Sequence, residues 1–288
     1  MKPTVVVIGA NGQLGSDLVL EWQARGYAVV PLTHHEIEVE SIDSVRSVLT
    51  NLKPGIVLNT AAFHNVPKCE EDPAKSYAVN ALGALHIAKV AEELGATDAY
   101  FSTDYVFDGE KRSPYVETDR PNPLNVYAGT KLLGEYYTHN YSSRGFVFRV
   151  SGIYGRVPCR AKGGNFITTM IRLAKEKPEV KVVQDEILTP TPTAAIASSA
   201  ATILERAAPG LYHLTCEGEC SWYEFARVIF DELRLTTPLL PTTVKEFPSP
   251  VKRPFYSVLE NATMKAQGIP GMPHWKDSLT GFLRNTYG

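Results

Sequence analysis

Tyr127 and Lys131 are the residues from which chemistry is most readily argued. They lie in Asn125-Val126-Tyr127-Ala128-Gly129-Thr130-Lys131. Four residues advance a helix by about 400°, so both side chains leave from nearly one face. A free phenol titrates near about 10, too high for proton transfer at neutral pH. A neighbouring cation favours phenolate and lowers that value. Moving it near 7 takes roughly 4 kcal/mol of local electrostatics, at about 1.4 kcal/mol per pKa unit. The chain has fourteen tyrosines, so the same spacing also arises by chance on a solvated helix face. The company the pair keeps must decide.

Part of that company is Ser102-Thr103-Asp104-Tyr105-Val106-Phe107-Asp108-Gly109, which follows a strand-like run at Ala99–Ser102. Hydroxyls there stand at a strand's carboxyl end, the ligand side of an open α/β sheet. Reduction of a ketone needs a hydride donor, a proton donor and a hydrogen bond to the carbonyl oxygen. A nicotinamide would supply the first, Tyr127 the second and Thr103 the third. Lys131 would tune Tyr127 and hold the nicotinamide ribose. Taken alone, Ser, Thr and Asp equally make a capped turn.

The elements that must position these groups begin at the amino terminus. Thr4–Ile8 is a β-branched run that passes directly into Gly9-Ala10-Asn11-Gly12-Gln13-Leu14-Gly15. Ser16–Arg25 then reads as a helix, with Leu14, Leu18, Val19 and Trp22 on one side. Strand, glycine loop and helix form the frame of a dinucleotide fingerprint. Gly9 permits the tight turn, Gly12 a close approach to pyrophosphate, and Gly15 close helix–strand packing. The helix start offers N–H groups to the anion. Asn11, Gln13 and Leu14 complete the expected cofactor loop. The spacing is Gly-x2-Gly-x2-Gly rather than the commoner Gly-x-Gly-x2-Gly.

About 20 residues on, a carboxylate would bind an NAD ribose. Here the run is Leu32-Thr33-His34-His35-Glu36, with neither acid nor Arg at the strand end. Glu36 or Glu38 could reach a ribose, and His34 and His35 could tolerate a 2′-phosphate. NADP(H) is favoured and NAD(H) stays open.

Strand-like runs at Tyr27–Leu32, Ile56–Asn59, Ala99–Ser102 and Phe146–Val150 alternate with helix-like runs at Ser41–Asn51, Pro73–Leu94 and Leu124–Tyr141. Repeated βα units predict a Rossmann-type α/β fold, a doubly wound parallel sheet with a smaller C-terminal α/β substrate lobe. Residues 1–155 are read as the dinucleotide-binding domain. Residues 156–288 are read mainly as the substrate lobe, with segments returning to the first domain. The stripe Trp222/Phe225 reads as core.

The 288 residues carry 29 basic and 31 acidic side chains, a net charge of −2, with no basic block or acidic tail. No nucleic-acid or membrane surface is expected. The run Val5–Ile8 is too short for a signal segment. Cys69, Cys159, Cys216 and Cys220 form no CxxC, and free buried thiols in a cytoplasmic protein are the simple reading. The seven histidines show no ligand spacing, and no metal site is expected.

Taken together, the sequence resembles the extended short-chain dehydrogenase/reductase family, and within it the reductases of dTDP-linked 4-keto-6-deoxy sugars. The resemblance rests on Gly12–Gly15, Asn59-Thr60-Ala61-Ala62, Ser102–Gly109, Pro123–Lys131, Gly164-Asn165-Phe166, Pro190-Thr191, Gly210–Leu214 and Arg253-Pro254. It implies reduction of the 4-keto group of dTDP-4-dehydrorhamnose to dTDP-L-rhamnose by Thr103, Tyr127 and Lys131. It also implies that Ala61, Ala62 and Asn80 line the cofactor crevice and that Asp104, with Tyr105, lies at the sugar. A nucleotide-sugar needs its diphosphate held. Arg253 is the first candidate, ahead of Lys252 and Arg172, and Asn165 could meet the base or the diphosphate.

The chain departs from the family pattern where Gly152 replaces an aromatic and Pro67 an aspartate. Glu186 likewise replaces a glutamine. Two alternatives stay open: a nucleotide-sugar epimerase or dehydratase, and an NADP-binding regulatory subunit resembling that of methionine adenosyltransferase. The residues leave the oligomeric state open, with a homodimer one option.

Overall fold

The computed structural model describes residues 2–159, 163–246 and 248–288. Its centre is a six-stranded parallel sheet. The strands are β1 (Val5–Ile8), β2 (Val29–Leu32), β3 (Ile56–Asn59), β4 (Thr97–Thr103), β5 (Gly145–Val150) and β6 (Gly210–His213). They lie in the order β6-β5-β4-β3-β1-β2. From β1 the chain first goes outward to β2 and then crosses back to β3. The ends of β1 and β3 therefore flank the switch point, where ligands enter such sheets.

Helices cover both faces, which is why the strands read as unbroken apolar runs rather than alternating ones. On one face α1 (Gln13–Ala24) and a later helix, Thr193–Arg206, bring Leu18, Trp22, Ile196 and Ala200 onto Val5, Val7, Leu58 and Phe148. On the other, α2 (Ile42–Leu52) and α3 (Gly83–Leu94) bring Val45, Leu49, Ile87 and Val90 onto Val6, Ile8 and Val57. Beside α3 lies α4 (Val126–Tyr141), the helix that carries Tyr127 and Lys131.

The expected strands and helices are present with shifted ends. β2 begins at Val29 and β4 extends to Thr103. Ser41 caps α2 by accepting from Ser44 N–H at 3.3 Å. The expected single helix Pro73–Leu94 is interrupted by a π-turn at Ala78–Leu82. Such turns free a backbone carbonyl from its regular partner, and here the Tyr100 hydroxyl donates to the Asn80 carbonyl at 2.9 Å.

Residues beyond 155 do not form a separate body. Thr193–Arg206 and β6 complete the first sheet and its cover. Other residues beyond 155 build a second core in which Ile167, Phe225, Ile229, Trp275 and Leu279 are buried, while Met264, Ile269 and Met272 join the first. Phe225 is core as expected, and Trp222 packs against it and stacks on Phe166 at 4.5 Å. None of the four cysteines forms a disulfide, and all are buried. No helix among the described residues is long and apolar enough to cross a membrane.

One polar group sits badly in this core. Asp98, on β4, is buried, and neither carboxylate oxygen has a hydrogen-bond partner among the described residues. Burial pushes its pKa up from 3.8 to about 8. Asp98 is therefore protonated in the folded protein at pH 7 and ionised in the unfolded chain. The unfolded state binds fewer protons between these values, so stability falls as pH rises from about 4 to about 8 and levels off above. Asp98→Asn should remove this loss. Melting temperatures of both proteins at pH 5 and 8.5 test it: the gap in favour of the variant should widen at pH 8.5.

Candidate active site

The glycine loop is folded as its spacing requires. Gly9 has φ +81°, and its N–H donates to the Leu32 carbonyl at 2.9 Å. A Cβ on Gly15 would lie 2.2 Å from the Gly9 carbonyl oxygen, whereas one on Gly12 would meet the same oxygen only at 3.3 Å. Gly15 thus lets α1 sit against the turn. Gly12 starts the helix in extended conformation without a side-chain cap, so the first N–H groups of α1 suit an anion. These features fit a dinucleotide pyrophosphate.

Opposite the loop, Thr60 Oγ donates to the Ile8 carbonyl at 2.7 Å and fastens the end of β3 to β1. Half-buried Ala61 and Ala62 follow on this rim, with Asn11 half-buried in the loop facing them.

Three expected cofactor residues also make structural contacts. The Leu14 side chain belongs to the core, so its contact with a cofactor is limited to backbone. Gln13 Oε1 accepts from Gly155 N–H at 3.1 Å and from Asn165 Nδ2 at 3.2 Å. Asn80 is fully buried. Its amide donates to the Phe63 carbonyl at 2.9 Å and accepts from Phe63 N–H at 2.8 Å, pinning the 61–64 segment rather than lining the crevice.

Asn165 is likewise engaged. It caps the helix Phe166–Glu176 and donates to the Gly155 carbonyl at 3.1 Å. Past β2, Glu36 is turned back onto Thr33, accepting from its N–H at 2.7 Å and its hydroxyl at 2.6 Å. His34 and His35 are exposed, with ring centres 3.8 Å apart.

Thr103 ends β4, and Tyr127 stands in the first turn of α4, which Asn125 caps through Ala128 N–H at 2.9 Å. The Thr103 hydroxyl lies close enough to the Tyr127 phenol to act on its titration. Tyr105 approaches Tyr127 edge-on at 6.3 Å between ring centres. The expected tuning of Tyr127 by Lys131 is absent. Burial holds the Tyr127 phenol above its usual range, the Thr103 hydroxyl opposes this, and the charges of Asp104 and Cys69 reinforce it.

Lys131 reaches elsewhere. Its ammonium donates to the Phe101 carbonyl at 2.5 Å and lies 4.0 Å from the centre of the Tyr100 ring. Burial pushes its pKa down to about 7, against the attraction of Glu135. Four-residue spacing did put both residues on one helix face, but a long lysine side chain chose the sheet beneath.

That sheet holds a buried ion pair the sequence reading missed. Glu135 accepts from Ser102 Oγ at 2.5 Å and from Arg149 at 2.7 and 3.0 Å. Arg149 lies 5.0 Å from the Phe107 ring centre. Glu135 follows Lys131 by four residues and Tyr127 by eight, so the helical period could have found it. Arg149 carries no such signal.

The structure also redirects Asp104. It is buried, and its carboxylate accepts from Ser257 Oγ at 2.6 Å, Ser151 Oγ at 2.8 Å and Thr103 Oγ at 3.1 Å. It faces hydroxyls of the protein rather than a sugar. Arg253 is half-buried, and its Nε has no partner among the described residues. Its charge acts on Tyr105 and on buried Glu186. Arg172 is removed from the site by its surface pair with Glu176 at 2.7 Å, and Lys252 is exposed. Gly152 has φ +52°, and a Cβ there would meet Leu188 at 2.8 Å and Pro190 at 3.0 Å. No aromatic fits at that position.

This geometry suits a dinucleotide-dependent carbonyl reduction, and comparison with known proteins agrees. The sequence model of the RmlD substrate binding domain matches residues 1–287. The chain belongs to this family. Among RmlD-family relatives, the spore coat polysaccharide biosynthesis protein SpsK of Bacillus subtilis is 37% identical, over 97% of this chain and 96% of its own. The dTDP-4-dehydrorhamnose reductase of Burkholderia thailandensis is 35% identical, over 94% of this chain and 95% of its own. A crystal structure of dTDP-4-dehydrorhamnose reductase from Bacillus anthracis in complex with NADP superposes with a TM-score of 0.95 at 34% identity. It covers 99% of this chain and 100% of that one.

The two glycines of this RmlD-family loop should respond differently to alanine. Gly15→Ala collides with backbone and should lower stability by about 1–3 kcal/mol. Gly12→Ala presses only lightly on the Gly9 carbonyl oxygen, at 3.3 Å, and should cost less stability than Gly15→Ala while binding NADPH at least tenfold more weakly. Thermal melts and NADPH fluorescence titrations check both, and unchanged affinity in Gly12→Ala would reduce the loop to a turn.

Proposed function

We propose that this chain reduces the 4-keto group of dTDP-4-dehydrorhamnose to give dTDP-L-rhamnose, with NADPH as the favoured reductant and NADH accepted. The observation that carries the reading is the placing of the Thr103 hydroxyl, at the carboxyl end of β4, beside Tyr127 in the first turn of α4. Thr103 stands in the same sheet as a glycine cradle that fits a pyrophosphate. The NADP-bound relative supports the choice of cofactor. The spore coat relative is compatible with a sugar made for a surface polysaccharide.

The nicotinamide, when bound, supplies the hydride. The residues of the chain manage the proton. Because burial holds Tyr127 above its usual range, its hydroxyl is protonated at neutral pH, the form a donor needs. As the carbonyl oxygen gains negative charge, Tyr127 gives up its proton to it. Lys131, with a pKa of about 7, sits one turn below on the same helix and holds the backbone at Phe101. Arg253 is the charge available to a sugar diphosphate. Its neighbours Tyr105 and Glu186 would line that end of the substrate.

Neither alternative gains from the geometry. A dehydratase would use a second acid next to Asp104, where this chain has Tyr105, and the Asp104 carboxylate turns inward. A purely regulatory subunit has no need of the Thr103–Tyr127 pair. Pairing of two copies belongs to the same proposal. Exposed Tyr77, Tyr136 and Tyr141, the last two on α4, offer an apolar face for it, and light scattering would report the mass.

Absorbance at 340 nm, with NADPH or NADH and freshly prepared dTDP-4-dehydrorhamnose, tests the activity. The wild-type protein should oxidise NADPH faster than NADH. Tyr127→Phe should lower turnover by about 100-fold or more while binding NADPH as before. Full activity in that variant would remove Tyr127 from the mechanism. Tight cofactor binding without oxidation by wild type would point to another keto sugar or to the regulatory role.

A further inference from the structure

We propose that Cys159 is a reactive thiol, that His64 serves as its base, and that the pair is a site of modification by peroxides and other small electrophiles. The proposal goes beyond the reductase reading and does not rest on it, since neither residue has a part in that reading.

The direction of the hydrogen bonds carries the argument. His64 Nδ1 lies 3.2 Å from the Ala62 carbonyl oxygen, and Nε2 lies 3.2 Å from Cys159 Sγ. A carbonyl only accepts, so Nδ1 carries the ring hydrogen. In the neutral imidazole Nε2 is then the acceptor, and the Cys159 S–H donates to it. A nucleophile, a base within reach and a third group that orients the base form the arrangement that activates a thiol. Passing the proton to Nε2 leaves a thiolate against an imidazolium. Both N–H groups of that ring then have acceptors, the sulfur and the Ala62 carbonyl.

The other thiols are placed differently. Cys69 Sγ donates to the Phe63 carbonyl at 3.2 Å, which is no base. Cys216 Sγ lies 3.3 Å from the Ser278 hydroxyl. Burial pushes the Cys216 thiol up to about 11 and the Cys220 thiol further. Access separates them as well. Cys159 is 8% exposed, against 0% for Cys69, 1% for Cys216 and 2% for Cys220. A small reagent therefore reaches the Cys159 sulfur first.

The pair also spans two parts of the fold. His64 follows Ala61 and Ala62 on the crevice rim past β3. The Cys159 carbonyl accepts from Gly164 N–H at 3.1 Å, one residue before Asn165, the cap of the helix Phe166–Glu176. That helix brings Ile167 and Met170 into the second core. The contact thus joins the crevice rim to the segment that leads into that core.

With a peroxide, Nε2 takes the S–H proton, and a sulfur lone pair forms a bond to one peroxide oxygen. The O–O bond breaks, and the departing oxygen takes the proton back from Nε2. The sulfur is oxidised to a sulfenic acid, and hydrogen peroxide is reduced to water.

Limiting iodoacetamide, followed by mass spectrometry of peptides from the whole chain, tests the assignment. Cys159 should be alkylated about tenfold or more faster than Cys69, Cys216 and Cys220. Hydrogen peroxide with dimedone should place the sulfenic acid adduct on Cys159. His64→Asn keeps an amide that donates to the Ala62 carbonyl but has no basic nitrogen. It should slow alkylation of Cys159 about tenfold or more. Alkylation of Cys159 no faster than that of the other three would overturn the proposal, and this comparison needs no variant. So would a dimedone adduct missing from Cys159. An unchanged rate in His64→Asn would reduce the effect to exposure and remove His64 as the base.

Discussion

The pairing of Glu135 with Arg149 and Ser102 sets the geometry on which the site depends. It joins α4 to β4 and β5 inside the protein, where an unpaired charge would cost several kcal/mol. The helix therefore cannot slide along the sheet without breaking the pair. Two turns before Glu135 stands Tyr127, and one residue after Ser102 stands Thr103. Fixing the first contact brings the second together. The Tyr100 ring reinforces the register by packing where Gly134 has no side chain: a Cβ there would lie 2.3 Å from the Tyr100 hydroxyl oxygen.

Around that register the polar groups form one connected interior system. Lys131 lies over Tyr100 and under Phe101, Asn80 pins the loop that carries Ala61 and Ala62, and Asp104 gathers hydroxyls from both lobes. Buried polar groups are tolerable only when their hydrogen bonds are met, and most of these are. Arg253 has a buried Nε without a hydrogen-bond partner among the described residues. An unmet donor there suits a site built for an anion.

Electrostatics in this interior differ from the simple picture of a cation lowering a phenol. Desolvation dominates both members of the pair. It raises Tyr127 and lowers Lys131, so each leans toward its neutral form. A neutral phenol is the better state from which to donate a proton. Stabilisation of the phenolate is needed only as the proton leaves.

The sequence by itself determined the doubly wound α/β frame and the glycine turn, and it put Thr103 at a strand end and Tyr127 and Lys131 on one helix. These features are written in local patterns: strand-loop-helix order, glycine spacing and the four-residue helical repeat. Local patterns could not say where the Lys131 ammonium would point or that Asp104 would face inward. They could not reveal that Arg149, Ser151 and Ser257 would meet groups tens of residues away. Nor could they show that Thr193–Arg206 and β6 return to the first sheet. Those outcomes depend on desolvation and on contacts between distant segments, which exist only once the sheet and its helices have closed around them.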